Sequence, residues 1–284
     1  MKRILMIALS LAVFVFDECR RNVYRLIGKR IPATYVVLRY HAVPQHLRPT
    51  FAKQMDELLR RARPLRADVT VPDLAGARFA SVTFDDAYQN VLENALPELA
   101  KRAIPATLFI VSDGLGRNPS WEDHSDNTDP DMHDPIVTEE QLRSLSPDLI
   151  QVGSHTHTHP LLTRISEVQA RSELALSRTR LQAIVGRDVK LFSFPYGAYN
   201  DDLISWCREA GYDKVFTTLP RSASAGPEEF VVGRVAVYPY DVPLEFSLKL
   251  SGAYRWWFGA VELKRKLASA ITFATPEKRA STFS

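Results

Sequence analysis

Three of the seven histidines in this 284-residue chain fall within five positions, in Gly153-Ser154-His155-Thr156-His157-Thr158-His159-Pro160, at the end of the apolar run Leu149, Ile150 and Val152. Neutral imidazole is the commonest side-chain metal ligand, and two histidines four residues apart at the mouth of a strand can turn onto one ion. Two imidazoles leave a divalent cation short, because a catalytic zinc-like site takes three protein ligands and a water. The best source of the third is the carboxylate pair in Thr83-Phe84-Asp85-Asp86. Taken singly, the aspartates would cap a helix, His41 would be a structural histidine and Phe194-Pro195-Tyr196-Gly197 would be a turn. Taken together they supply imidazoles, a carboxylate ligand and a nearby base, which is what metal-assisted hydrolysis requires.

The elements that must position these groups can be read from periodicity. Tyr35–Tyr40, Phe79–Phe84, Ala106–Val111, Leu149–Ser154, Leu191–Phe194, Lys214–Thr217 and Val231–Val237 read as seven strands. Helical spacing falls between them, at about 51–62, 88–102, 166–186 and 200–210, with a last stretch expected over 244–268. Pro97 marks a kink or break in the second helix. Thr138-Glu139-Glu140-Gln141 and Ser166-Glu167-Val168-Gln169 have the spacing of capping boxes, and Asn200 that of an N-cap. Strand and helix alternate throughout, the pattern of a βα architecture with a mainly parallel sheet. His41, Asp85-Asp86, His155/His159 and Pro195-Tyr196-Gly197 each follow a different strand, so a barrel would bring all four clusters to one rim, the face where catalytic groups gather. The long acidic segment Ser112–Pro135 lacks EF-hand spacing and reads as a solvated rim loop.

Charge and cysteine content exclude other classes. The chain has 36 basic and 33 acidic residues; residues 1–30 hold seven of the basic ones against Asp17 and Glu18, which leaves 29 and 31 in the body. The body is therefore not a basic nucleic-acid binder. Cys19 and Cys207 form neither a disulfide framework nor a CxxC metal site. The chain divides at sequence level into a basic apolar segment (1–30), a barrel (31–240) and a C-terminal helical extension with a frayed tail (241–284). After Lys2-Arg3 come thirteen uncharged, mostly apolar residues, then Asp17-Glu18-Cys19-Arg20-Arg21. That run is short of the ~20 residues that span a bilayer, and no small-x-small cleavage site follows it. An interfacial membrane helix is the leading expectation, with an atypical signal or a buried helix as alternatives. Placement at a membrane or in the cell envelope is expected over a freely soluble cytoplasmic one.

Thr83-Phe84-Asp85-Asp86, His155-Thr156-x-x-His159-Pro160 and Phe192-x-x-Pro195-Tyr196-Gly197, in that order, resemble the first three motifs of the polysaccharide deacetylases, carbohydrate esterase family four. The resemblance covers about residues 31–237 and implies an α/β fold, a distorted (β/α)7 barrel. It implies that Asp86, His155 and His159 hold a divalent metal, most commonly zinc, that Asp85 is the catalytic base, and that His157 is not a ligand. It also implies that the backbone N–H of Tyr196, set by Pro195, holds the oxyanion. Two features depart from the family pattern. Ser193 stands where the family has an arginine beside the base, so Asp85 is expected to lack that partner. The late Leu-x-His motif is missing, since no histidine follows His159. Tyr40-His41-x-Val43 instead resembles the early motif of the branch acting on poly-N-acetylglucosamine and related exopolysaccharides, which implies His41 as the catalytic acid. The resemblance thus implies an N-deacetylase of N-acetylglucosamine-containing glycan. A carbohydrate O-acetyl esterase and a non-catalytic glycan- or metal-binding member of an exopolysaccharide assembly stand as alternatives.

Overall fold

The computed structural model describes residues 2–119, 121, 134–220 and 229–261. About half of the expected rim loop, with its His124 and His133, lies outside these residues, as does the expected tail. Nine strands form one curled sheet: β1 (Thr34–Tyr40), β2 (Arg63–Pro64), β3 (Arg78–Phe84), β4 (Ala106–Ile110), β5 (Ile150–Ser154), β6 (Leu191–Ser193), β7 (Lys214–Phe216), β8 (Val231–Val232) and β9 (Val235–Ala236). Their order is β8-β7-β6-β5-β4-β3-β1-β9, with β2 also against β3. All pairings between these strands are parallel. The segment expected as one strand over 231–237 is interrupted at Gly233-Arg234. Its first half pairs with β7 and its second with β1, so the chain itself links the two ends of the sheet. A continuous strand could not serve both neighbours while Arg234 turns into the interior.

Strand alternation sorts the side chains into two layers. Tyr35, Val37, Phe79, Phe109, Leu191, Phe216 and Val232 form an inner cluster inside the curl. Their neighbours Leu38, Tyr40, Ala80, Val82, Phe84, Leu108, Ile110, Ile150 and Val152 pack outward into the main core beneath the helices. Residues 81, 83 and 85, in step with Phe79, therefore face inward, as do 151, 153 and 155 on β5 and Ser193 on β6. Gly153 is required here, because a Cβ would lie 2.5 Å from the Phe109 ring.

The helices are α1 (Lys2–Leu26), α2 (Arg48–Arg61), α3 (Leu96–Lys101), α4 (Glu139–Ser144), α5 (Glu167–Val185), α6 (Asp201–Glu209) and α7 (Pro243–Leu250). Both capping boxes form, at Thr138/Gln141 and Ser166/Gln169, and the Asn200 side chain caps α6. The helix expected over 88–102 is distorted and not broken: a π-helical turn over Val91–Ala95 runs directly into α3, and this wider turn just before Pro97 accommodates the proline's ring and missing N–H. The long last helix expected over 244–268 is not continuous. It is interrupted after α7, where Gly252 takes φ +77° and a short 3-10 turn over Ala253–Arg255 follows, and helical structure resumes over residues 256–261. Cys19 and Cys207 are both free thiols. A cavity of about 310 Å³ lies between α1 and the N-terminal ends of β1 and β3, away from the groups described next.

Candidate metal centre and active site

The strand register brings the chemistry-bearing residues level. Tyr40 is paired with Phe84, so His41 and Asp85 leave adjacent strands side by side, and the Asp85 N–H donates to the Tyr40 carbonyl at 3.0 Å. Ile110 is paired with Ser154, and the His155 N–H donates to the Ile110 carbonyl at 2.9 Å. Past the strand ends the backbone turns sharply. Asp86, Ala87, Thr156, His159 and Tyr196 all have φ between 58° and 69°. That left-handed region is costly for residues with a Cβ, and it persists only where surrounding contacts enforce it. At the next residue, Gly197 at φ +69°, a Cβ would fall 2.0 Å from the Thr218 hydroxyl.

Asp86, His155 and His159 are all buried, and one ligand atom from each lies within 4.8 Å of the others. The Nε2 atoms stand 3.7 Å (His155) and 3.6 Å (His159) from Asp86 Oδ1. Donors bound 2.0–2.1 Å from a tetrahedral ion are about 3.4 Å apart, so this spacing fits a zinc-sized cation. The protonation states fit as well. His155 Nδ1 donates to the Ser193 carbonyl at 2.7 Å, which leaves its Nε2 lone pair directed at the cluster. Burial holds both imidazoles below their usual pKa, so they are neutral, the form that binds metal.

Asp85 points inward beside this cluster and is 2% exposed. Burial pushes its pKa upward, but the Arg234 guanidinium outweighs that and holds the carboxyl well below the usual carboxylate range. Arg234 itself is fully buried. It donates to Asp85 Oδ1 at 2.7 Å and Oδ2 at 2.8 Å, to Ser193 Oγ at 2.7 Å, to Thr83 Oγ1 at 3.2 Å and to the Thr217 carbonyl at 3.1 Å. All five guanidinium hydrogens are thereby engaged, and the group rests against the packed rings of Phe109 and Phe216. Arg39 adds a second cation, 3.8 Å from Asp85 Oδ2. The expectation that Asp85 lacks an arginine is therefore overturned. The arginine comes from the break between β8 and β9, and Ser193, small enough to leave it room, accepts one of its hydrogen bonds. Sequence reading missed Arg234, because no local pattern marks it; the one available signal was a charged residue inside a β-branched run.

His41 is partly exposed at the end of β1. Burial, then the charge of Arg39, pushes its pKa down to about 3 against the opposite pull of Asp85, and Arg234 and His155 also act on it. It therefore belongs to the same electrostatic cluster and is neutral at rest. His157 stands apart from the triad, with its Nδ1 paired to Ser112 Oγ at 2.8 Å. The turn it occupies is held by Glu173 of α5, which accepts from the N–H groups of His157 and Thr158, both at 2.8 Å. Sequence reading missed Glu173 too, since on α5 it looks like any surface acid. Pro195 is buried, and the Tyr196 ring meets His159 edge-on at 4.9 Å. Trp121 covers His159 from another side at 4.7 Å, whereas Tyr199 stacks on Phe194 as part of the core.

Residues 75–215 match the family model for polysaccharide deacetylase, and that segment contains the aspartate pair, the histidine pair and Pro195-Tyr196-Gly197. This is a polysaccharide deacetylase domain. The fold agrees: the structure of IcaB from Ammonifex degensii superposes with a TM-score of 0.61 at 25% identity, over 78% of this chain and 97% of that one. BC0361, a polysaccharide deacetylase from Bacillus cereus, shares the fold at TM-score 0.60 and 21% identity, over 77% of this chain and 69% of that one. The poly-beta-1,6-N-acetyl-D-glucosamine N-deacetylase of Staphylococcus aureus is 26% identical over 165 residues, 55% of this chain and 53% of that protein. The chain spans about half the length of the curated relatives it matches. His41 and Arg234 lie on either side of the segment matched by the family model, so the cluster that forms the site is wider than the matched segment.

Proposed function

We propose that the deacetylase domain removes N-acetyl groups from an N-acetylglucosamine-containing polysaccharide, with a zinc ion held by Asp86, His155 and His159. The observation that carries this reading is the juxtaposition of three buried metal donors with a carboxylate kept ionised by Arg234. When bound, the metal supplies Lewis acidity toward the acetyl carbonyl and acidifies a water. Asp85, beside the three donors and kept ionised, would take the proton from the attacking water. An arginine that engages each carboxylate oxygen once leaves lone pairs on both for this transfer. The Tyr196 backbone N–H donates to the oxygen on which negative charge develops, an interaction worth about 3 kcal/mol where it forms only in the transition state. The proton that Asp85 has taken up is the one returned to the leaving nitrogen as the C–N bond breaks, with His41, neutral at rest, relaying it. The products are acetate and a free amine on the sugar.

Similarity to the Staphylococcus aureus enzyme supports a β-1,6-linked substrate and a role in exopolysaccharide maturation. Trp121 and Tyr196 flank His159 and provide ring faces on which a pyranose can stack. A second reading is a carbohydrate O-acetyl esterase, which would ask less of His41, a group that burial shifts toward its neutral form. An alkoxide leaves with less acid assistance than an amine. The two readings separate on acetate release from β-1,6-linked N-acetylglucosamine oligomers and from acetyl-xylan, by wild type and His41→Gln. Release from the amide substrate that collapses in His41→Gln supports the N-deacetylase. Release from acetyl-xylan alone, indifferent to His41, replaces it with the esterase.

A further inference from the structure

Helix α1 is apolar toward the barrel and toward solvent alike. Met6, Ile7, Val13 and Phe14 pack against the main core, and some of its polar side chains reach the barrel beside them. Arg3 donates to Glu245 Oε2 at 2.8 and 2.6 Å, and Ser10 Oγ accepts from Trp256 Nε1 at 2.9 Å. Asp17 accepts from Arg255 at 2.6 and 2.8 Å, Glu18 pairs with Arg78, and Arg21 donates to the Gly76 carbonyl at 2.6 Å. Positions 3, 10, 17 and 21 share one face at helical spacing. The opposite face points to solvent and is apolar: Ile4 is 72% exposed, Phe16 65% and Leu26 85%, with Leu5, Val15 and Val23 also exposed between them. Residues 4–16 carry no charge. A contiguous exposed apolar face on this scale marks an interaction surface.

Charge identifies what covers it. Lys2, Arg20, Arg25, Lys29 and Arg30 are all exposed along α1 and the turn after it. The two acids of the helix, Asp17 and Glu18, are turned toward Arg255 and Arg78, with Asp17 also 3.4 Å from Arg20, and Arg30 pairs with Asp73, so positive charge remains in excess along the helix. A second copy docked on this face would set cations against cations, whereas an anionic lipid surface meets them with opposite charge. Trp257, partly exposed beside Lys2 with its ring 6.0 Å from Nζ, is a residue type favoured at a lipid–water boundary. No helix among the described residues is long and apolar enough to cross a membrane. A helix of 25 residues lying flat would extend over about 37 Å.

We propose that α1 is an interfacial helix whose outward face lies in the surface of an anionic lipid bilayer and holds the barrel there. Its C-terminal half crosses the N-terminal end of β3, where Glu18 meets Arg78, and Asp85 and Asp86 leave the other end of that strand. The catalytic rim is thereby left open to a polymer. This inference rests on the geometry of α1 and not on the proposed activity.

The test is co-sedimentation of the full chain with phosphatidylcholine vesicles, with and without phosphatidylglycerol. Comparison variants are Leu5→Glu/Phe16→Glu and Arg20→Ala/Arg25→Ala. Wild type is expected to pellet with the phosphatidylglycerol vesicles and to be released by salt. The apolar-face variant should bind at least about tenfold more weakly, and each lost arginine should weaken binding by about fivefold. Both variants change exposed positions, so unaltered circular dichroism confirms that they fold. Vesicle binding by the apolar-face variant equal to wild type overturns the proposal. So does a wild type that ignores vesicles and forms a dimer dispersed by Leu5→Glu/Phe16→Glu.

Discussion

The catalytic rim and helix α1 both break the rule that apolar groups go inside and charges outside, and they break it in opposite directions. At the rim, Asp85, Asp86 and Arg234 are buried, and all five Arg234 donors are engaged. In α1 the apolar residues Ile4, Phe16 and Leu26 are left in the open while Ser10 and Arg21 are covered. Burying an ion pair does little for stability, because desolvation offsets the attraction. Leaving leucine and phenylalanine in water forgoes hydrophobic stabilisation. A fold that carries both costs points to two uses. The rim sets up charge for chemistry, and the helix presents an apolar surface to something outside the chain.

The comparison breaks most decisively at the metal donors. Asp86→Ala should lower deacetylation on the order of 10⁴-fold and abolish zinc binding measured by equilibrium dialysis. Unchanged zinc stoichiometry in that variant would separate Asp86 from the metal. Asp85→Asn should retain zinc and lose about 10² to 10⁴ in kcat; loss of metal instead would make Asp85 a ligand and not the base.

Arg234→Met probes the clamp. Burial alone raises the pKa of Asp85, and the arginine is what holds it down. Removing the arginine therefore moves the acid-side loss of kcat/KM to higher pH, because the base must be ionised to work. The same change leaves a carboxylate buried without its partner and should cost about 3–5 kcal/mol of stability, read as a lower Tm. An acid limb unmoved in a folded Arg234→Met protein would show that Arg234 only packs. Glu173→Ala should weaken zinc binding by about tenfold through loosening of the His155–His159 turn; unaltered affinity would remove Glu173 from the support of the site. The smallest effect is expected on α1, where Leu5→Glu should change stability by less than about 0.5 kcal/mol and leave hydrolysis of soluble oligomers intact. A large loss of stability there would mean that the outward face is internal to the fold.

How much of this was visible beforehand follows from the range of each interaction. The aspartate pair, the histidine pair and Pro195-Tyr196-Gly197 were legible because each is a short segment leaving a strand, and strand alternation carries Asp85 and His155 inward together. The capping boxes at Thr138 and Ser166 are local as well and formed as read, and the distortion expected at Pro97 is present as a π-helical turn just before it. Arg234 was not legible, since its partners Thr83, Asp85, Ser193 and Thr217 come from other strands and its position depends on how β8 and β9 link the sheet. Ser193 was misread for the same reason: its small side chain implied a missing arginine, whereas the structure fills that place from across the barrel. The apolar run at 4–16 and its basic flank were plain in the sequence. That Ile7 and Phe14 pack on the barrel while Ile4, Leu5 and Phe16 stay exposed was not, because a run apolar all round does not show which side meets the fold.

The most direct test of the central claim is acetate release from β-1,6-linked N-acetylglucosamine oligomers by chelated protein titrated with zinc. The account predicts that activity returns in proportion to added zinc and saturates at one ion per chain, with no return in Asp86→Ala. Acetate release that is indifferent to chelation, or a wild type that binds one zinc at this site and releases no acetate, would contradict it.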